Sequence, residues 1–361
     1  MLNKVSIFPA RISSIRQKFF DYKIDSLIFL NMNNILYLSG FTGSDGALII
    51  DENRITLLVD GRYTTQAKRE VADIEIVEYK DKVKAISQEV KLYNLKKIGF
   101  EAGAMTVHTY NQLIGEFQQE VLVPLGDELK FLRAYKDESE ILLMKKAAEI
   151  ASAAIYSLIS EIKPGCSEKD LALLLEIIAR RSGADQLAFE TIVAAGENSA
   201  LPHAKPTSRK IRKGDFIVID FGVKYHGYCS DETCTFAFGE LTDEQKDAYS
   251  KVKDAHDRAI DAIHAKAVAG DVDRITRNIL GPEYEKYFSH GTGHGVGIEV
   301  HEAPRLAPDS KDILEEQMVV TVEPGIYLPG HWGIRIEDTV LVKENSCEKL
   351  TKMDKGLVII E

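Results

Sequence analysis

Four acidic side chains stand where a β-rich chain ordinarily places apolar ones. Phe216-Ile217-Val218-Ile219-Asp220-Phe221-Gly222 is an apolar β-type run with a carboxylate near its end. Ser230-Asp231-Glu232-Thr233-Cys234-Thr235 follows it, Val319-Val320-Thr321-Val322-Glu323-Pro324-Gly325 runs into a third acid, and Gly333-Ile334-Arg335-Ile336-Glu337-Asp338-Thr339-Val340 carries a fourth. A carboxylate among β-branched and aromatic neighbours is poorly solvated, so it must be paired with a cation or bind a metal. Any one of the four could be a salt-bridged residue; four on separate strands point to a shared destination. The two-residue period of a strand puts Thr321 on the face of Glu323, Thr233 on that of Asp231, and Arg335 and Thr339 on that of Glu337. Threonine hydroxyls suit the role of donors to ligating carboxylates, and plain β propensity accounts for them equally well.

A histidine cluster accompanies the acids. His290, His294 and His301 fall within one twelve-residue stretch, with Gly291, Gly293, Gly295 and Gly297 between them. Those glycines let the backbone approach a ligand closely. The stretch has neither G-x-G-x-x-G spacing nor a Gly-Lys-Ser/Thr sequence, which argues against a phosphate-binding loop. Of the other histidines, His108, His226, His256, His264 and His331 read as polar surface residues. Asp220, Asp231, Glu323 and Glu337 carry four negative charges and a neutral His294 adds none, a balance that two divalent cations would close. Oxygen-rich ligation with one imidazole suits Mn²⁺ or Co²⁺, allows Zn²⁺, and excludes a thiolate zinc site. Two such ions ~3.5–4 Å apart can hold a bridging hydroxide and polarise a carbonyl. The chemistry expected is hydrolysis without a protein nucleophile, in keeping with the lack of H-E-x-x-H and G-x-S-x-G motifs.

Composition narrows the setting. Asp and Glu outnumber Lys and Arg by 56 to 45, for a net charge of −11, and no basic cluster offsets it, which argues against nucleic acid as a partner. No apolar run approaches the ~20 residues that span a bilayer, so no membrane association is expected. The N-terminus lacks the pattern of a secretory signal, and Cys166, Cys229, Cys234 and Cys347 form no C-x-x-C pair. A reducing cytoplasm is the expected location.

The chain reads as two α/β domains. Strands are expected at 26–30, 47–50, 55–59, 74–77 and 97–100, with amphipathic helices at 11–20, 63–70, 83–93 and 106–117. The pattern changes near 125–135. A charged entry at Lys136 leads into a long helix ending about Ile162, Ser167 caps a helix over 168–181, and a further helix is expected over 242–267.

These motifs resemble the pita-bread metallopeptidases of the Xaa-Pro dipeptidase (prolidase) and aminopeptidase P type. The match rests on Ala195-Gly196-Glu197-Asn198-Ser199-Ala200-Leu201-Pro202-His203, Asp220-Phe221-Gly222, Ser230-Asp231-x-Thr233-x-Thr235, His290 to Gly297, Glu323-Pro324-Gly325-Ile326-Tyr327, and Gly333 to Asp338. Tyr37 to Ser44 and Val59-Asp60-Gly61-Arg62-Tyr63 resemble a creatinase-like N-terminal domain. The resemblance implies a creatinase-like α/β domain over 1–128 followed by a pita-bread catalytic domain over 130–361. It implies metal ligation by Asp220, Asp231, His294, Glu323 and Glu337, with Asp231 and Glu337 bridging two ions and Glu323 handling the proton of the attacking water. His203, His290 and His301 would meet the substrate carbonyl and the tetrahedral intermediate. Arg335 would meet a substrate carboxylate, with a salt bridge to a neighbouring acid as its alternative, and Tyr327 and His301 would line the proline pocket. The implied activity is hydrolysis of the bond between an N-terminal residue and proline in a small peptide, by a homodimer. A dipeptidase is expected first and an aminopeptidase P acting on longer peptides is the alternative. A creatinase-like hydrolase and a non-catalytic pita-bread binding protein are more remote. Mn²⁺ is the first expectation for the metal, with Co²⁺ or Zn²⁺ as alternatives. One departure stands out: the family often has Asp-x-Thr-Arg-Thr, and Cys234 occupies the Arg position here.

Overall fold

The five strands expected in the N-terminal part all enter one sheet. The computed structural model describes residues 7–117 and 121–361, and the chain divides into two units between Arg133 and Ala134. In the first unit the strand order is Glu75–Tyr79, Ile55–Asp60, Ala47–Asp51, Ser26–Phe29, Ile98–Glu101 and Leu122–Leu125. The central strands pair antiparallel and the outer ones parallel, a mixed α/β arrangement. Among the described residues, the Leu122–Leu125 strand, the short turn Asp127–Leu129 and the helix Met32–Ser39 lie outside the sequence expectations. The helix is only eight residues long, and Asn33 and Asn34 in its first turn read as turn residues. Its start is set by the Asn31 side chain accepting from the Asn33 N–H, and its end by Gly40 at φ 76°.

The second unit opens with the helix Glu138–Ile159. Asp137 accepts from the backbone N–H groups of Ser139 and Glu140 while Glu140 accepts from that of Asp137, a reciprocal cap that starts the helix at this residue. Ser167 and Asp170 start Glu168–Arg181 in the same way. Both helices cover a four-stranded sheet in the order Ile359–Ile360, Glu232–Phe238, Asp215–Phe221 and Ile192–Ala195. Ile155, Leu158, Leu171 and Leu175 meet Ile217, Ile219, Phe221, Phe236 and Phe238 there. Each fully buried side chain of this kind contributes about 1.5–3 kcal/mol. The alternate residues Phe216 and Ala237 face a second core with Tyr249, Leu280, Ile334 and Ile336.

That alternation assigns the acids. Asp220 takes the side of Phe216, and Asp231 and Thr233 take the side of Ala237. Glu232 and Cys234 take the opposite side, with Phe236 and Phe238. A five-stranded sheet, in the order Glu302–Leu306, Gly293–Gly295, Val319–Val322, Asp338–Val342 and Cys347–Lys349, carries the other site segments. Threonines tie the four-stranded sheet to its neighbours: Thr339 Oγ1 of the five-stranded sheet donates to the Asp231 carbonyl at 2.7 Å, and Thr235 Oγ1 donates at 2.7 Å to the carbonyl of Arg335, in the two-stranded sheet of Gly325–Leu328 and Trp332–Arg335.

The helix expected over 242–267 runs Asp243–Asp261. It stops early because the next backbone groups are drawn elsewhere, the Ala265 N–H to Lys343 O and the Lys266 N–H to Leu314 O. A further helix, Ala269–Tyr284, lies outside the expectations, its pattern interrupted by Gly270 and by the non-helical Gly281 before Pro282.

Candidate metal centre

The strand ends bring four acids and one imidazole together. Pairing of Asp215–Phe221 with Glu232–Phe238 sets Asp220 opposite Thr233, two residues from Asp231. Pairing of Val319–Val322 with Asp338–Val342 sets Val322 opposite Asp338, so Glu323 and Glu337 leave their strands at the same end. Single ligand atoms of Asp231, His294 and Glu337 lie within 4.8 Å of one another. His294 Nε2 is 3.3 Å from Glu323 Oε1 and 3.7 Å from Asp231 Oδ2. Asp220 joins through Arg335, whose Nη2 donates to its Oδ2 at 2.5 Å.

The electrostatics are those of carboxylates short of cations. Burial, together with the charges of Glu337, Asp220 and Glu323, pushes the Asp231 carboxyl well above its ordinary range. Burial and the charges of Glu323 and Asp220 do the same to Glu337, against the hydrogen bond that Thr233 Oγ1 donates to it at 2.6 Å. Burial also opposes ionisation of Glu323, but the hydrogen bond and charge of His294 outweigh it and hold that carboxyl low. Burial would lower the His294 imidazole, and Glu323 raises it instead. Asp220 Oδ1 is buried and has no hydrogen-bond partner among the described residues. An orphaned carboxylate oxygen beside acids that raise one another's pKa fits a divalent cation: the donor set is hard and anionic, and it holds one imidazole.

Around this cluster the other site candidates sort into two groups. His203 and His301 are exposed at its rim, and the His301 ring packs edge-on against His294 with centroids 4.4 Å apart. Burial and the charge of His294 lower the His301 imidazole, keeping it neutral at pH 7. His290, Tyr327 and Arg335 form a bonded row. Arg335 Nη1 donates to the Tyr327 hydroxyl at 2.8 Å and to Pro202 O at 2.9 Å, and its Nε donates to Thr233 Oγ1 at 3.2 Å. The Tyr327 hydroxyl accepts from Arg335, so its own proton goes to His290 Nε2, 2.8 Å away. His290 is then protonated on Nδ1, which donates to Gly291 O at 2.8 Å. Sequence reasoning brought His290 to a substrate carbonyl and Arg335 to a substrate carboxylate. In the structure both His290 nitrogens meet protein groups, and the Arg335 guanidinium pairs with Asp220, its alternative partner.

Known proteins place the chain in a family. Residues 142–344 match the sequence profile of metallopeptidase family M24, and residues 11–135 match that of the creatinase/prolidase N-terminal domain. The chain belongs to metallopeptidase family M24. An Xaa-Pro dipeptidase of Pyrococcus furiosus is 36% identical over 344 residues, 94% of this chain and 97% of that one. The solved structure of an Xaa-Pro dipeptidase from Bacillus anthracis has a TM-score of 0.94 at 38% identity, over 98% of this chain and 99% of that one. That of an X-Pro aminopeptidase from Thermotoga maritima has a TM-score of 0.87 at 38% identity, over 95% and 100%.

Several residues that shape this M24 centre escaped the sequence reading. Asp273 accepts from the Thr292 N–H at 3.0 Å and hydroxyl at 2.9 Å, and from Arg277 Nε at 2.8 Å, while Arg277 Nη2 donates to His290 O at 2.7 Å. This pair braces the histidine loop; its i,i+4 spacing was the available signal, on a helix the sequence did not announce. His256, expected at the surface, is fully buried because its Nε2 faces Asp338 Oδ2 at 3.3 Å. The glycines between the histidines admit neighbouring strands rather than a ligand: a Cβ at Gly293 would collide with Thr321 O, and one at Gly295 with Ala303 O. Burial pushes the thiols of Cys229 and Cys234 up to about 12, so neither offers a thiolate at neutral pH.

Proposed function

We propose that this M24 metallopeptidase is an Xaa-Pro dipeptidase that holds two divalent cations, Mn²⁺ first, through Asp220, Asp231, His294, Glu323 and Glu337. The observation that carries the reading is the convergence of four largely buried carboxylates whose basic neighbours are Arg335 and the imidazoles of His294 and His290. When bound, the two ions supply the charge that polarises the scissile carbonyl and lowers the pKa of an attacking water. Glu323 lies beside His294 and is the acceptor we assign for that water's proton. His203 and His301, at the rim, donate to the substrate carbonyl oxygen as charge develops on it. His290, Tyr327 and Arg335 act on the protein rather than on substrate: Arg335 aims Asp220, and the row fixes the neutral tautomer of His290.

Proline in the second position follows from what this site grips. An Xaa-Pro bond has no N–H to hold, and a centre that works through the carbonyl does not need one. The functional division assigned is an N-terminal domain over 1–128 and a catalytic domain over 130–361, acting as a homodimer in a reducing cytoplasm. All four cysteines are free, which suits that compartment. The test is hydrolysis of Ala-Pro, Ala-Pro-Ala and Ala-Ala after Mn²⁺ loading. Fast cleavage of Ala-Pro alone is expected. Comparable rates on Ala-Pro-Ala transfer the assignment to an aminopeptidase P, and comparable rates on Ala-Ala sink the proline specificity.

A further inference from the structure

Behind the metal centre lies a buried polar network that the reaction above does not use. Glu232 is fully buried, and its carboxylate accepts from Ser152 Oγ at 2.5 Å, from the Met353 N–H at 3.1 Å and from Lys355 Nζ at 2.6 Å. Asp338 accepts from Thr351 Oγ1 at 2.6 Å, and Lys355 Nζ stands 3.5 Å from the same Asp338 oxygen, Oδ1. One ammonium, with a side chain only 2% exposed, therefore touches acids from two different sheets.

The position of those acids gives the contact its meaning. Glu232 directly follows Asp231, and Asp338 directly follows Glu337. Successive residues point to opposite faces, so a tether on Glu232 and Asp338 restrains the backbone from which Asp231 and Glu337 reach forward. At the front, Asp231 and Glu337 have ligand atoms within 4.8 Å of each other, so two like charges there push their strands apart. Lys355 is itself anchored: Tyr249 Oη donates to its carbonyl at 3.1 Å, and the Ala237 N–H bonds Val358 O at 3.0 Å, docking the C-terminal segment on the strand that follows Asp231.

We propose that Lys355 is a positioning residue of the metal centre: bonded to Glu232 and Asp338 from behind, it sets the spacing of the two carboxylates Asp231 and Glu337 that receive the ions. The inference rests on the ligand assignment above. Charge balance alone makes the opposite prediction, because removing a nearby positive charge tightens the binding of a cation, whereas loss of a positioning contact weakens it.

The test is titration of Mn²⁺ into the metal-free full chain by calorimetry, for the wild type, Lys355→Met and Lys355→Arg. Lys355→Met is expected to weaken Mn²⁺ binding about ten- to hundredfold, the range for lost supporting contacts, and Lys355→Arg to restore most of it. Unchanged or tighter binding by folded Lys355→Met overturns the proposal, as does failure of Lys355→Arg to recover affinity. If Lys355→Met does not fold, the double variant Glu232→Met with Lys355→Met removes the ion pair at constant net charge. Weakened binding there supports the proposal and unchanged binding overturns it. A wild-type chain that takes up no Mn²⁺ sinks the ligand assignment instead, so the two failures are distinct.

Discussion

Asp231 and Glu232 are adjacent, as are Glu337 and Asp338, and in each pair one acid faces the front of the sheets and the other the back. All four are buried. At the back, Lys355 and Lys349 answer Glu232 and Asp338, with Nζ 2.6 Å and 2.7 Å from their respective carboxylates. Burial opposes ionisation of Asp338, but Lys355 and His256 outweigh it and hold that carboxyl far below its ordinary range. At the front, burial and the charges of neighbouring carboxylates push Asp231 and Glu337 upward against the pull of Arg335. Burial therefore does not separate a structural acid from a functional one. What separates them is whether the protein has placed its own cation opposite.

The sharpest break of this contrast is substitution on each side. Asp231→Asn and Glu337→Gln should lower kcat/KM at saturating Mn²⁺ by about a thousandfold or more, the several kcal/mol that metal charge stabilisation is worth. Glu232→Gln should keep most of the activity at saturating Mn²⁺ and show its loss as a lower Tm, since it leaves Lys355 short of a buried partner. Equal activity losses at the two faces would erase the distinction.

The contrast also sets opposite pH dependences. A carboxyl whose folded pKa lies above its unfolded value of about 4 lends stability at acid pH and loses it as pH rises through the raised value. The metal-free chain should thus lose stability from mildly acid toward alkaline pH because of Asp231 and Glu337. Asp338, with its folded pKa depressed, works on the acid side: its contribution is present above about pH 4 and is lost as pH falls toward the lowered value. Scans of Tm between pH 5 and 9 with a chelator should fall with rising pH, and excess Mn²⁺ should flatten the fall, since cations and protons compete for the same oxygens. Asp231→Asn should raise the metal-free Tm at pH 8. A lower Tm in that variant would show that the front carries no stored repulsion.

Much of the front was legible in the sequence, and little of the back. Asp220, Asp231, Glu323 and Glu337 announced themselves because an acid inside an apolar β run breaks the pattern around it, and the Gly-flanked His294 did the same. Glu232 and Asp338 sat in the same runs and drew no reading, because their partners lie far away in the chain. Lys355 is 123 residues from Glu232 in a tail with no periodicity to read. His256 has the look of an ordinary polar position on an amphipathic helix, and only the buried Asp338 opposite explains its burial. Asp273 and Arg277 were hidden for a local reason, the glycines that mask their helix. Five strands of the first unit were readable because each is a local β-type run, whereas the Met32–Ser39 helix is eight residues long and has two asparagines in its first turn, which read as a turn.

The finest test of the comparison uses one threonine from each face. Thr233 Oγ1 donates to Glu337 at 2.6 Å, and Thr351 Oγ1 donates to Asp338 at 2.6 Å, so the two bonds match in length and in burial. Thr233→Val removes a donor from a carboxylate assigned to the ions, and Mn²⁺ affinity should fall about tenfold or more. Thr351→Val removes one donor from a carboxylate that keeps Lys349 and Lys355, and should cost about 1 kcal/mol of stability, read by denaturant titration, with Mn²⁺ affinity unchanged. If the two valines instead have the same effect on metal binding, proximity to the centre rather than the face occupied governs these acids. A difference between them assigns the distinction to the single residue step that turns one side chain forward and the next one back.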